Sequence, residues 1–204
     1  LTEAHADCIV PRAGVVDPSP HTLLVACLGA DRVMGYDSAA ASPARAVKRE
    51  WRVAAGPTGI ALDPTTRRAV VWSQFDRSIT LLPLDAPAVE DPDRETRRFA
   101  RIALPEDPSR ALPVKARLGR LLFHASGDVR IARDGRACAS CHPDGRDDGL
   151  VWATPNGPRR SVMLAGRLAK TAPFSWDGNH PDLEMHVEET FERLSGAGGL
   201  RSVE

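Results

Sequence analysis

Pro11-Arg12-Ala13-Gly14-Val15-Val16-Asp17-Pro18 aligns without a gap with Pro57-Thr58-Gly59-Ile60-Ala61-Leu62-Asp63-Pro64, an offset of 46 residues (57 against 11). The same offset carries Leu24-Val25 onto Val70-Val71 and Val33 onto Ile79. A chain that copies itself in this way folds as copies of one small unit, each burying its apolar face on the next. The unit reads as a short apolar run, an Asp-Pro turn, a second run (Thr22 to Cys27, Arg68 to Ser73), a polar turn and a third run. Asp-Pro marks a turn because proline presets φ and the aspartate side chain bonds nearby backbone. Short runs punctuated by turns read as strands. Helical repeats need apolar stripes of period 3.6, and none is present here. A period near 46 therefore suits the blade of a β-propeller. The competing reading is a small β-sandwich with accidental self-similarity.

The repeat resembles the YVTN-type propeller repeats of bacterial surface and periplasmic proteins. It departs from them in number, because two blades leave an incomplete ring where closure typically takes four to eight. The resemblance implies upstream blades or a partner chain. The expected organisation is propeller-like blades over 1–90, a linker over 91–113 and a second domain over 114–204. The linker is Pro-rich and charged, although Ala100-Arg101-Ile102-Ala103-Leu104 also reads as a strand. From Val114 the spacing of Leu118, Leu121 and Leu122 predicts a helix with Arg117 and Arg120 on its other face. Glycines at 127, 135, 145, 149 and 157 then predict a long loop, and a last helix is expected from Pro181 to Leu194.

Cys138-Ala139-Ser140-Cys141-His142 is the strongest chemical signal in the chain. C-x-x-C-H is the attachment motif of c-type haem. Each thiol adds across a vinyl group to form a thioether, and the adjacent histidine supplies the proximal imidazole. The alternatives are a redox dithiol and half of a zinc site. No second C-x-x-C supports zinc, and no βαβ pattern supports a thioredoxin-like dithiol.

Gly119-Arg120-Leu121-Leu122-Phe123 precedes the motif, and Thr171-Ala172-Pro173-Phe174-Ser175-Trp176-Asp177-Gly178 with Leu183-Glu184 follows it. Over roughly Val114 to Leu200 this resembles the bacterial di-haem cytochrome c peroxidase superfamily. The resemblance implies an all-α cytochrome c domain, so the expected fold class is mixed: an all-β propeller-type half and an all-α half. Members of that superfamily carry two haem motifs and this chain has one. Propeller repeats followed by such a domain also resemble secreted bacterial haem proteins. One covalent haem c is therefore expected, in an exported protein of the periplasm or extracellular space.

For the distal ligand the candidates are His186 first and Met163 second, with an open site as the third possibility. The superfamily can place a distal methionine where Thr190 falls, one turn from His186 on the same helix face. Met163 equally reads as a thioether packed on the haem edge. Arg159, Arg160 and Arg167 are candidates for the haem propionates, since guanidinium binds carboxylates bidentately. Trp152, Phe174 and Trp176 are expected to wall the pocket. His5, His21, His124 and His180 read as surface or satisfied core residues. Cys8 and Cys27 are expected to pair, because haem attachment implies an oxidising compartment. The alternative is two separately buried cysteines.

Lys plus Arg and Asp plus Glu each number 27, so the chain carries no basic footprint for nucleic acid. Aromatic residues at 5% are too few for a base-stacking platform. No apolar run approaches the roughly 20 residues of a membrane span. Electron transfer with a redox partner protein is the leading expectation. A peroxidase-like oxidoreductase with an open distal site, and a propeller binding module with a structural haem, are the alternatives.

Overall fold

The computed structural model describes residues 8–18, 20–87, 97–106, 108, 111–166 and 168–198. It divides into two compact units, Leu1–Leu121 and Leu122–Glu204. The first unit holds two four-stranded antiparallel sheets in succession. One is β1 (Pro11–Asp17), β2 (Thr22–Cys27), β3 (Arg32–Asp37) and β4 (Val47–Arg52). The other is β5 (Pro57–Asp63), β6 (Arg68–Ser73), β7 (Ser78–Pro83) and β8 (Ala100–Ala103). In each sheet the strands pair in chain order, giving two β-propeller-like blades.

The 46-residue repeat extends to the backbone. Both inner strands carry a bulge at the matching place, between Pro11 and Ala13 and between Pro57 and Gly59. Left-handed residues occur in matched pairs: Val10 with Gly56, His21 with Arg67, Asp31 with Arg77. Each non-glycine residue there costs roughly 1 kcal/mol, so the turn geometry is imposed by the strand pairing. Closing bonds match as well. The Ser38 N–H donates to the His21 carbonyl (2.9 Å), and Leu84 donates to Arg67 (3.0 Å). The fourth strand of the second blade lies within 91–113, where a linker was expected, and places Ile102 opposite Ile79.

The core lies between the blades. One face of the first blade contributes Leu24, Val33 and Trp51, and the facing side of the second contributes Ala69, Val71 and Leu82. Arg67 crosses this interface to Asp17 (2.7 Å), whose carboxylate is nearly fully buried. A disulfide joins Cys8 to Cys27 beside the first blade. The matching positions in the second blade are Ala54 and Ser73, so nothing equivalent ties the second.

The second unit corrects the expectation of an all-α domain. The structure as a whole is mostly sheet, with three short helices among the described residues: α1 (Val114–His124), α2 (Cys138–Cys141) and α3 (Leu183–Arg193). A third sheet, antiparallel β9 (Val151–Thr154) and β10 (Gly157–Arg160), lies where a loop was expected. The physical reason is local. Glycines at positive φ (127, 135, 145, 149, 157, 166 and 178) interrupt the chain every ten residues or so, too often for long helices. Val151-Trp152-Ala153-Thr154 alternates exposed and half-buried, as a strand does.

Candidate functional site

The chain enters the C-x-x-C-H motif through a short, tightly bonded loop. Ile131, Ala132 and Ala137 are its buried residues, and Ala139 is buried within α2. Arg133 donates its backbone N–H to the Leu194 carbonyl (3.1 Å), which sews this loop to the end of α3. Gly196 is required at that seam, because a Cβ there would sit 2.5 Å from the Arg130 carbonyl oxygen.

α2 is a single turn. Its N-terminus is held by the Ala137 N–H donating to Ser140 Oγ (3.0 Å) and its end by the His142 N–H donating to the Cys138 carbonyl (3.0 Å). Residues three apart share one side of a helical turn, so Cys138 and Cys141 lie on one side. Both are free, half-buried thiols. Burial pushes the Cys138 thiol up. Burial and Asp148 push Cys141 up, while Arg136 and Arg193 act against them. Neutral thiols of this kind differ from the low-pKa thiolate of a redox dithiol.

The His142 ring is fixed by one contact: Nδ1 lies 2.9 Å from the Val162 carbonyl oxygen. A carbonyl only accepts, so Nδ1 carries the proton and Nε2 keeps its lone pair. Leu164 and Ala165 both donate to the Gly145 carbonyl (2.8 Å), anchoring the 162–165 strand of chain beside the turn that follows the motif.

A second histidine site is built by α3. Asp182 caps the helix by accepting from the Met185 N–H (2.8 Å), as its Ncap role predicts. His186 is half-buried, and its Nδ1 meets Nδ1 of His180 at 2.9 Å. His180 is 7% exposed and pairs through Nε2 with Glu189, one turn beyond His186. A carboxylate oxygen accepts, so Nε2 of His180 donates to Glu189, and one proton is shared between the two Nδ1 atoms. In the tautomer in which His186 donates from Nδ1, its Nε2 keeps a lone pair. Burial, then His180, Arg193 and His142, pull the His186 pKa below its ordinary value, with Glu189 opposing. His142 is thus an electrostatic neighbour of His186. His180 itself is positioned by the paired backbone bonds of Phe174 and His180 (2.7 and 3.2 Å).

Met163 is 56% exposed and Trp176 is 52% exposed. Trp152 donates to Asp148 (2.8 Å) and lies under Arg136. Arg159 faces Asp177 (3.8 Å), and Arg160 pairs with Asp147 (3.2 Å). Arg167 lies outside the described residues. The arginines that act on Cys141 are Arg136 and Arg193. Both line an open cleft of about 540 Å³ with Arg133, Asp134 and Leu194. Sequence reading missed His180 and Glu189 as partners of His186. The available signal was Glu189 at i+3 from His186, on the same helix face. Val162 acts through its carbonyl, which no side-chain pattern reveals.

Among the described residues, no three or more His, Cys, Asp or Glu side chains gather as ligands for a metal ion, and no helix is long and apolar enough to cross a membrane.

No family model and no curated protein matches the chain. Solved structures similar to part of it include these two. One is the Kuenenia stuttgartiensis hydrazine synthase (19% identity, TM-score 0.34), over 41% of this chain and 22% of that one. The other is the Myceliophteria thermophila Cps50 (Swd1) β-propeller domain (25% identity, TM-score 0.31), over 40% of this chain and 25% of that one. The chain thus spans about a quarter of the length of each.

Proposed function

We propose that the second unit binds one haem covalently and that the protein transfers electrons to or from a redox partner protein. The observation that carries this reading is the state of His142. It follows directly on two free thiols three residues apart, and its Nδ1 is committed to the Val162 carbonyl. Cys138 and Cys141 would hold the porphyrin edge as thioethers, and His142 would offer Nε2 to the iron. A backbone carbonyl on Nδ1 fixes the ring and raises the basicity of the ligating nitrogen. When bound, the haem supplies one-electron chemistry between Fe(III) and Fe(II).

His186 is the proposed distal ligand. The Glu189–His180–His186 chain supports it, because it orients the ring and, in the tautomer in which His186 donates from Nδ1, leaves Nε2 its lone pair. Met163 has no comparable positioning contact. Covalent haem and the Cys8–Cys27 disulfide both call for an oxidising compartment, so export to the periplasm or beyond is part of the proposal. A second reading, a peroxidase-like oxidoreductase with an open distal site, draws on the same chain. There His180 and Glu189 would let His186 accept and return a proton instead of ligating.

The test is the oxidised optical and EPR spectrum of protein exported with haem-attachment machinery. Bis-histidine ligation gives low-spin iron in the starting protein and high-spin iron in His186→Ala. A low-spin spectrum unchanged by His186→Ala removes His186 from the site. Five-coordinate, high-spin iron in the starting protein favours the peroxidase-like reading.

A further inference from the structure

We propose that the exposed face of the second blade docks the first blade of a second copy of this chain, head to tail, as the second blade sits on the first. The interface within the chain is the template. In the first blade, the face toward its neighbour has Val33 opposite Trp51, at 0% and 3% exposure. The same face of the second blade has Ile79 opposite Ile102, with Ile79 half-buried and Ile102 51% exposed. The loss of burial continues along the face. Leu24 and Ala26 are buried, whereas their counterparts Val70 and Trp72 are half-buried. The second blade thus presents an apolar face of the kind that, on the first blade, its neighbour covers.

The complementary face is also present. The second blade seats on the first through the side that carries Ile60, Val71 and Leu82. The equivalent side of the first blade carries Val16, which is 55% exposed, and half-buried Leu23 and Val25. Charge follows the same pattern. Asp17 ends β1 and receives Arg67 from the neighbouring blade at 2.7 Å. Asp63 ends β5 at the matching position and bonds Thr65 and Thr66 of its own turn, with Arg68 acting on it electrostatically. The residue of the first blade that matches Arg67 is His21, exposed and in the same left-handed conformation. In a head-to-tail pair, His21 of the copy lies where Arg67 lies on Asp17, facing Asp63. Two different, complementary faces on one unit give a heterologous contact, which extends to open chains or closes into a ring. This inference uses no part of the haem reading.

Analytical ultracentrifugation of the full chain tests it. Association should rise with concentration and run beyond dimer. Ile102→Glu and Val16→Glu each place a charge in the apolar contact at a site that is more than half exposed in the single chain. Each should weaken association roughly tenfold or more, with the circular dichroism unchanged. Ile102→Glu keeps the first-blade face and Val16→Glu keeps the second-blade face, so an equimolar mixture should form a heterodimer and nothing longer. A chain that stays monomeric overturns the proposal and leaves the face to a blade from another polypeptide segment. A dimer abolished by Ile102→Glu and untouched by Val16→Glu overturns it as well, because that is a contact of like faces.

Discussion

Between the two blades, Leu24, Val33, Trp51, Val71 and Leu82 are buried to 3% exposure or less. In 122–204 the buried apolar side chains among the described residues are Ile131, Ala132, Ala137 and Ala139. A large side chain contributes about 1.5–3 kcal/mol on burial, and an alanine much less. The blades are thus held by apolar packing. The second unit is held by caps, backbone seams and ion pairs, and no residue of α3 is buried. An 11-residue helix without a buried face is marginal on its own. The contrast teaches that the Cys138–His142 motif and the His180–His186 pair sit on a scaffold with little core, the setting in which an attached group would contribute most to folding.

The contrast can be broken by mutation. Trp51→Ala should cost about 3–5 kcal/mol in urea unfolding of the first unit, as expected for a fully buried aromatic. A loss under 1 kcal/mol would mean the blades are not packed as described. Reducing the Cys8–Cys27 bond should cost about 3 kcal/mol through the freed loop entropy, read as a shift in the same unfolding midpoint. Unchanged stability would show that the disulfide constrains nothing. Arg67→Ala should cost roughly 2–3 kcal/mol, because it takes the guanidinium away from the buried Asp17 carboxylate, while Arg67 itself keeps 30% exposure. Asp17→Asn in the same background should recover part of that loss. Val187→Ala on α3, 38% exposed, should cost less than about 0.5 kcal/mol in protein without haem.

Acid sharpens the same comparison. Hydrogen bonds from Arg130 hold Asp128 below its ordinary value of 3.8, and hydrogen bonds from Arg136 do the same for Asp134. A depressed carboxylate contributes stability above the unfolded value and loses it as pH falls through the folded one. The second unit should therefore weaken progressively below about pH 4. Circular dichroism or amide exchange followed from pH 6 to pH 2 should show 122–204 opening before the blades. If the blades open first, the ion pairs are not what holds the second unit.

How much of this was legible in the sequence differs between the units for a physical reason. The 46-residue offset located six strands, three in each blade, because each apolar run has a partner copy that confirms its boundaries; β4 has no copy in register and was not read. β8 was harder to place, since a longer connection carries Ile102 out of the repeat's register with Trp51. In the second unit the motif Cys138-x-x-Cys141-His142 and the helix near His186 were legible from spacing. β9 and β10 were hidden by the glycines around them. The all-α expectation came from the resemblance and not from the local residues, and Val151–Arg160 overturned it. His180 read as a bland histidine because its meaning depends on two partners, His186 and Glu189, that only the fold brings together.

The most direct test of the central claim is the intact mass of the chain after export with haem-attachment machinery, measured before and after acid–acetone extraction. One haem per chain is expected, retained through extraction and localised to the peptide that contains Cys138, Cys141 and His142, and lost in the double variant Cys138→Ala, Cys141→Ala. A chain with no haem, with haem that the solvent removes, or with stoichiometric zinc in its place would contradict it.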